Sequence, residues 1–341
     1  MATDASTVVS SRQLVVDTDF GFDDILSLLL LDRSSNYKME LISTVSGVSV
    51  ASRGATYAKA IFGTAVDVAA GRDVDSHLEA SSHQWLPSYR NRLDEYMASR
   101  YDVTTEVQGE QQESIFGKCT ATALKNVLEG SVNRGCDLLC LGPLTNVASW
   151  LEDPNLAQLM RDKIETVWIL GGTENRNNDA GEFNFQLDCE AVRSVTQTPH
   201  LEGKLRIVTA DVSGPDSPNF AAGLEKAIGK MADEAHVDDM IYDLLRKEPR
   251  AIYFDPLCAF ACTKSDQLQY REAHIRSLEP TGNILLHPED YSGDDVGEHR
   301  SDRQQRSPVP MVRLLEHLDD THQDQFIKWI SEKEGKSHTY M

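Results

Sequence analysis

The sequence predicts an α/β protein built on an open, mostly parallel sheet with helices on both faces. Two observations carry this. Short β-branched or leucine-rich runs recur at 14–16, 39–45, 67–69, 137–141, 166–170 and 205–209, with helical patterns between them. The most concentrated polar feature, LVVDTDFGFDD at 14–24, follows the first run directly. Ligands of such sheets collect outside the carboxyl ends of strands, which is where this feature falls.

In that first element an apolar strand meets Asp17, Asp19, Asp23 and Asp24, separated by a turn around Gly21. A helix start needs one capping carboxylate, and the helix dipole favours one or two. Four within eight residues repel one another unless a cation or a polyhydroxyl ligand compensates them. The cluster therefore reads as a metal site.

The 341 residues, 40% of them apolar, suffice for one large core, and no internal repeat or linker divides the chain. We expect a single domain over 1–341 with two excursions. Residues 72–117 are polar, dotted with aromatics and weakly periodic, as suits a lid or insertion with one helix. Residues 287–307 are charged and rich in turn formers, as suits a polar loop before the apolar run 308–315 and a closing helix over about 321–333.

With 54 acidic against 33 basic residues the formal charge is −21, which repels phosphate backbones and argues against nucleic acid and anionic membranes as partners. The start of the chain lacks a secretory pattern, and no run reaches the length of a membrane span. The cysteines, Cys119, Cys136, Cys140, Cys189, Cys258 and Cys262, show no zinc spacing and sit mostly in apolar sequence. Reduced thiols in a cytoplasmic protein are expected.

Three further stretches lie at predicted strand ends. In CLGPLTNVA a Gly-Pro turn frees the preceding backbone, so the Leu141 carbonyl is available to a hard cation, while Thr145 and Asn146 open a helix. In LGGTENRNNDAGEFNFQLDCEA, which follows the run ending at Leu170, Glu182, Asn184 and Asp188 alternate with Phe183 and Phe185. An extended segment would then carry one polar face able to bind hydroxyls. In AIYFDPLCAF, Asp255 ends an apolar run before Pro256, a place for a ligated carboxylate or for the start of a helix.

The blocks DTDFGFDD, LGPLTN, GGTEN…GEFNFQLDCEA and YFDPL occur in the order and approximate spacing of the inosine-uridine-type nucleoside hydrolases, and the resemblance spans roughly 14 to 330. It implies a Rossmann-like core, a bound calcium ion (Ca2+) and hydrolysis of ribonucleosides to ribose and free base by a calcium-bound water. Carried over residue by residue, it assigns Asp19, Asp24, Asp255 and the Leu141 carbonyl to the metal, and makes Asp19 the acceptor of a proton from water. Asp23 would hold the ribose 2′-hydroxyl and Glu182 and Asn184 the others. Asn178 or Asn177 would hold the 5′-hydroxyl, Leu170 would line the substrate, and Asp17 would order the loop from behind. A homodimer or homotetramer is expected.

Where many members place a histidine before the last metal aspartate, this chain has Phe254. In that it resembles the purine-preferring group, in which the base lies between aromatic rings. Trp85 is the expected second ring, and His83 is an acid in reserve. Phe20, Val48 and Cys189 also depart from the family pattern. Val48 stands where an amide is usual, which keeps open a repurposed or non-catalytic riboside- or glycoside-binding protein. A haloacid-dehalogenase-type phosphatase, which also begins strand-DxD, fits less well because Asp23 and Asp24 have no role in it.

Overall fold

The computed structural model describes residues 11–34, 36–72, 83–103, 119–131, 135–175, 181–213, 222–223, 225–226, 229, 239–286 and 311–331. The elements run β1 (Arg12–Thr18), α1 (Phe22–Arg33), β2 (Tyr37–Thr44), α2 (Ala51–Phe62), β3 (Asp67–Ala70), α3 (Leu86–Arg100), α4 (Thr120–Gly130), β4 (Cys136–Cys140), α5 (Thr145–Leu151), α6 (Pro154–Lys163) and β5 (Ile164–Leu170). They continue with α7 (Phe183–Leu187), α8 (Cys189–Gln197), β6 (Leu205–Val208), α9 (Ala210–Ser213), α10 (Asp239–Lys247), α11 (Asp255–Thr263), β7 (Tyr270–Leu278), β8 (Ile284–Leu286), β9 (Met311–Leu315) and α12 (Asp320–Ser331).

The nine strands among the described residues lie in one sheet of order β3-β2-β1-β4-β5-β6-β9-β7-β8. The six predicted runs are β1 to β6, and their pairings, with β6–β9, are parallel. An antiparallel edge, β9–β7 and β7–β8, was not among the predicted runs. Strand order reverses between β1 and β4, and the crevice outside the carboxyl ends at such a point is where an α/β sheet holds its ligand.

Successive strand residues feed different cores, which is why both faces need helices. Leu14, Val16, Leu139 and Trp168 pack with α1, α10, α11 and α12, whereas Val15, Leu138, Val167 and Ile169 pack with α4, α5, α6 and α8. Helix α1 is apolar nearly all round because it is wedged between the sheet and α11. Arg33 in its last turn donates to the carbonyls of Trp329 (2.7 Å) and Ile330 (2.9 Å), which fastens α12 to it.

Of the expected excursion at 72–117, residues 86–100 form α3, while 73–82 and 104–118 lie outside the described residues. The polar loop expected at 287–307 also lies outside them. The closing helix is present as α12 at 320–331.

Candidate active site

The turn after β1 is wound tightly by its own side chains. The Phe20 N–H donates to Thr18 Oγ1 (3.0 Å), the Thr18 hydroxyl donates to Asp24, and the Gly21 N–H donates to Asp24 Oδ2 (2.7 Å). Asp24 thus closes the first turn of α1 and still presents an oxygen to the cavity. Phe20 adopts φ 57° and is fully buried, a backbone conformation that a phenylalanine keeps only where packing enforces it.

Asp19 points across to the loop after β2. Its Oδ2 accepts the Val48 N–H at 2.8 Å, and its carbonyl accepts the Ser49 N–H at 3.1 Å. This approach requires glycine on both sides. A Cβ at Gly47 would lie 2.1 Å from Asp19 Oδ2, and one at Gly142 would lie 2.8 Å from the Asp19 backbone nitrogen. From α3, Arg90 donates to the carbonyls of Val48 (2.7 Å) and Gly47 (2.8 Å). The neighbouring Tyr89 hydroxyl accepts the Phe22 N–H (2.8 Å) and lies 3.4 Å from Asp23 Oδ1. Helix α3 is therefore clamped to both sides of the carboxylate cluster.

Behind the cluster, Asp17 accepts from the Asn146 amide at 2.8 Å. That amide also reaches Thr44 O (3.0 Å) and Ser43 Oγ (3.1 Å), while its oxygen accepts the Arg72 N–H (2.9 Å). One side chain at the start of α5 thus ties together the ends of β1 and β2 and the segment after β3.

The segment 182–188 is not the extended strand expected from its alternation. Residues 183–187 form helix α7, because the Glu182 carboxylate caps it and accepts N–H groups from Gly172 (2.7 Å), Phe185 (2.9 Å) and Asn184 (3.0 Å). Glu182 and Asn184 nevertheless both face the cavity. The Asn184 amide donates to Leu141 O at 3.0 Å and to Leu170 O at 3.4 Å, which pins the ends of β4 and β5 together. The Leu141 oxygen keeps a second lone pair for another partner.

Asp255 opens α11 as its first residue and is buried. The preceding Phe254 is held at φ 63°. Carboxylate oxygens of Asp23, Asp24 and Asp255 lie within 4.8 Å of one another, and Asp19 shares their cavity. Desolvation and the neighbouring carboxylates hold Asp19 and Asp255 well above the usual range, and desolvation with Asp24 pushes Asp23 up to about 7. Three buried carboxylates and the half-buried Asp23, which oppose one another's ionisation, together with a strand-end carbonyl, make an all-oxygen donor set that fits a hard divalent cation.

The cavity encloses about 490 Å³, the size of a small-ligand pocket. It brings together Asp19, Asp23, Asp24, Leu141, Leu170 and Asp255, with Glu182, Asn184, Trp85 and Phe254 in the same wall. Val48 also lines it, so the position where an amide is usual presents an apolar surface. Asn177 and Asn178 lie outside the described residues. Trp85 stands at the mouth, 45% exposed, with Phe183 at 5.4 Å and Tyr89 at 5.7 Å between ring centroids. His83 packs edge-on to Phe183 at 4.9 Å and Trp85 at 6.0 Å.

Sequence reasoning missed Tyr89, Phe183, Asn175 and Asp211 as lining residues. Tyr89 follows Trp85 by one helical turn, a spacing that could have indicated it. Asp211 had no such signal. It reaches the wall because it accepts from Thr173 Oγ1 and the Glu174 N–H, both at 2.7 Å.

Known proteins share this fold. Solved structures similar to the chain include a plant nucleoside hydrolase (16% identical, 94% of this chain and 99% of that one, TM-score 0.64). An inosine-guanosine nucleoside hydrolase is 17% identical over 94% and 98% of the two chains, with TM-score 0.63. The inosine-uridine preferring nucleoside hydrolase of Bacillus anthracis is 18% identical over 94% and 98%, with TM-score 0.59. An uncharacterized protein of Schizosaccharomyces pombe is 29% identical over 215 residues, 61% of this chain, and the match spans 60% of that protein's length. The family profile described as inosine-uridine preferring nucleoside hydrolase matches residues 14–323, nearly the whole chain, and the protein belongs to that family.

Proposed function

We propose that the protein hydrolyses the N-glycosidic bond of ribonucleosides, purine nucleosides ahead of pyrimidine ones. In this reading calcium is held by Asp19, Asp24, Asp255 and the Leu141 carbonyl. The observation that carries the reading is the meeting, in one cavity at the strand-order reversal, of an all-oxygen donor set with aromatic rings. Bound calcium would supply Lewis-acid activation of water and an anchor for vicinal hydroxyls.

The residues of the chain do the rest. Asp19, oriented by the Val48 N–H, accepts a proton from the attacking water. Asp23 and Asn184 hold ribose hydroxyls, Glu182 adds a further acceptor, and Leu170 packs on the sugar. The carboxylates stabilise positive charge that develops on the ribose as the C–N bond lengthens. Phe254 has no proton to give, so stacking by Phe254 and Trp85 serves the departing base, and purines offer the larger ring.

No helix among the described residues is long and apolar enough to cross a membrane. We place the enzyme in the cytoplasm as a homodimer or homotetramer. Val48 in the cavity wall supports a second reading, a riboside- or glycoside-binding protein that leaves common nucleosides intact. Incubation with a nucleoside panel and calcium, followed by measurement of reducing sugar, separates the two. We expect inosine, adenosine and guanosine to outpace uridine, 2′-deoxynucleosides to be much poorer, and a chelator to abolish turnover. Reducing sugar from none of them would refute the hydrolytic reading.

A further inference from the structure

The charge of the cavity and the rings at its mouth constrain the substrate more narrowly. Among the described residues, six carboxylates line the wall: Asp19, Asp23, Asp24, Glu182, Asp211 and Asp255. Among the described residues that line it there is no Lys, Arg or His. A divalent cation favours ionisation of the carboxylates around it, and no cationic side chain in the wall competes with a positively charged ligand. The chain as a whole carries −21, which raises the local concentration of cations at the mouth.

The rings supply the complementary half. Trp85, Phe183 and Tyr89 meet at the mouth with centroid separations of 5.4 and 5.7 Å, and Phe254 adds a fourth ring to the wall. Aromatic faces attract delocalised and quaternary cations, more strongly where water is displaced. Acidic walls and aromatic faces together select for positive charge, not merely for ring size.

We infer, on the basis of the nucleoside-hydrolysing reading above, that the preferred substrates are ribosides whose base is already cationic, of the N-ribosylpyridinium or N7-alkylated purine class. The chemistry matches the residues present. The C1′–N bond breaks with both electrons passing to the ring nitrogen, which converts the cationic ring to a neutral base. A water oxygen bonds to C1′, and its proton passes to a cavity carboxylate and then to solvent. No proton has to reach the base.

A neutral nucleoside requires a proton on the base, and this wall is poorly equipped to deliver it. Phe254 has none. His83 is packed against Phe183 and Trp85, where desolvation lowers its pKa and disfavours the protonated form.

The test compares guanosine with 7-methylguanosine at mildly acidic pH, using the calcium-loaded full-length protein. The two share a ring and a sugar, and differ by one methyl group and one charge. Binding is read separately from bond lability through competitive inhibition by the N1-methylnicotinamide cation and by neutral nicotinamide. We expect a KM about tenfold lower for 7-methylguanosine, and about tenfold stronger inhibition by the cation. Both advantages should shrink in Trp85→Ala and in the more conservative Phe183→Leu. Equal KM values and equal inhibition, with guanosine still hydrolysed, overturn the cation preference and leave the nucleoside reading standing. Failure to hydrolyse either riboside or any common nucleoside overturns both.

Discussion

Replacing Asn146 with alanine should loosen the whole carboxyl end of the sheet. The side chain is fully buried, and its amide serves Asp17, Thr44 O and Ser43 Oγ while its oxygen serves the Arg72 N–H. Burial pushes the Asp17 carboxyl up to about 7, and Asn146 and Ser43 are the hydrogen-bonding side chains that offset it. Truncation removes the first of these and takes away the side-chain acceptor of the Arg72 N–H. A lost buried partner costs about 1–3 kcal/mol, and a buried charge stripped of its only partner about 3–5 kcal/mol. Because Ser43 remains, we expect a loss of about 2–3 kcal/mol, read from the urea midpoint followed by tryptophan fluorescence. Asp17→Ala alone removes one of the three acceptors of the Asn146 amide and leaves it Thr44 O and Ser43 Oγ. Each single variant loses the Asp17–Asn146 contact and the double variant loses it only once, so the double should cost less than the sum of the singles by about 1 kcal/mol. Additive losses would show that Asp17 and Asn146 are not coupled, and an Asn146→Ala loss below about 1 kcal/mol would show that the network does not bear on stability.

Two other perturbations test separate parts of the structure. Gly47→Ala places a Cβ 2.1 Å from Asp19 Oδ2, so calorimetric calcium affinity and nucleoside turnover should both fall sharply while the circular dichroism spectrum holds. Wild-type affinity in that variant would remove Asp19 from the metal set. Asp243 on α10 accepts from Arg100 of α3 (2.7 Å), Lys247 (3.0 Å) and Arg246 (3.3 Å). Partial burial raises its pKa, but these hydrogen bonds outweigh burial and hold the carboxyl below its ordinary value. A folded pKa below the unfolded one gives stability that is present above about pH 4 and is lost as pH falls through the folded value. Asp243→Asn should accordingly cost about 1 kcal/mol at pH 7 and almost nothing in strong acid, as thermal melts at the two pH values would show.

The parallel core was legible because burial on both sheet faces demands unbroken apolar runs, and all six runs became strands of that core. The carboxylate site was legible for an equally local reason: crowding four aspartates around one turn is a contradiction that the chain itself displays. The antiparallel edge was not, because β7 is interrupted by polar residues, β8 is only three residues long, and their pairing is decided across the sheet. Residues 182–188 alternate like a strand, yet the three backbone N–H groups that converge on Glu182 wind them into a helix. That convergence involves Gly172, ten residues away, which no period in the sequence reports. Tertiary structure alone set Tyr89 and Arg90 of α3 against Asp23 and the Gly47–Val48 carbonyls, and brought Phe183 to Trp85. Sequence determines which groups must be compensated; the packing of distant segments determines which neighbours compensate them, because that choice depends on three-dimensional proximity.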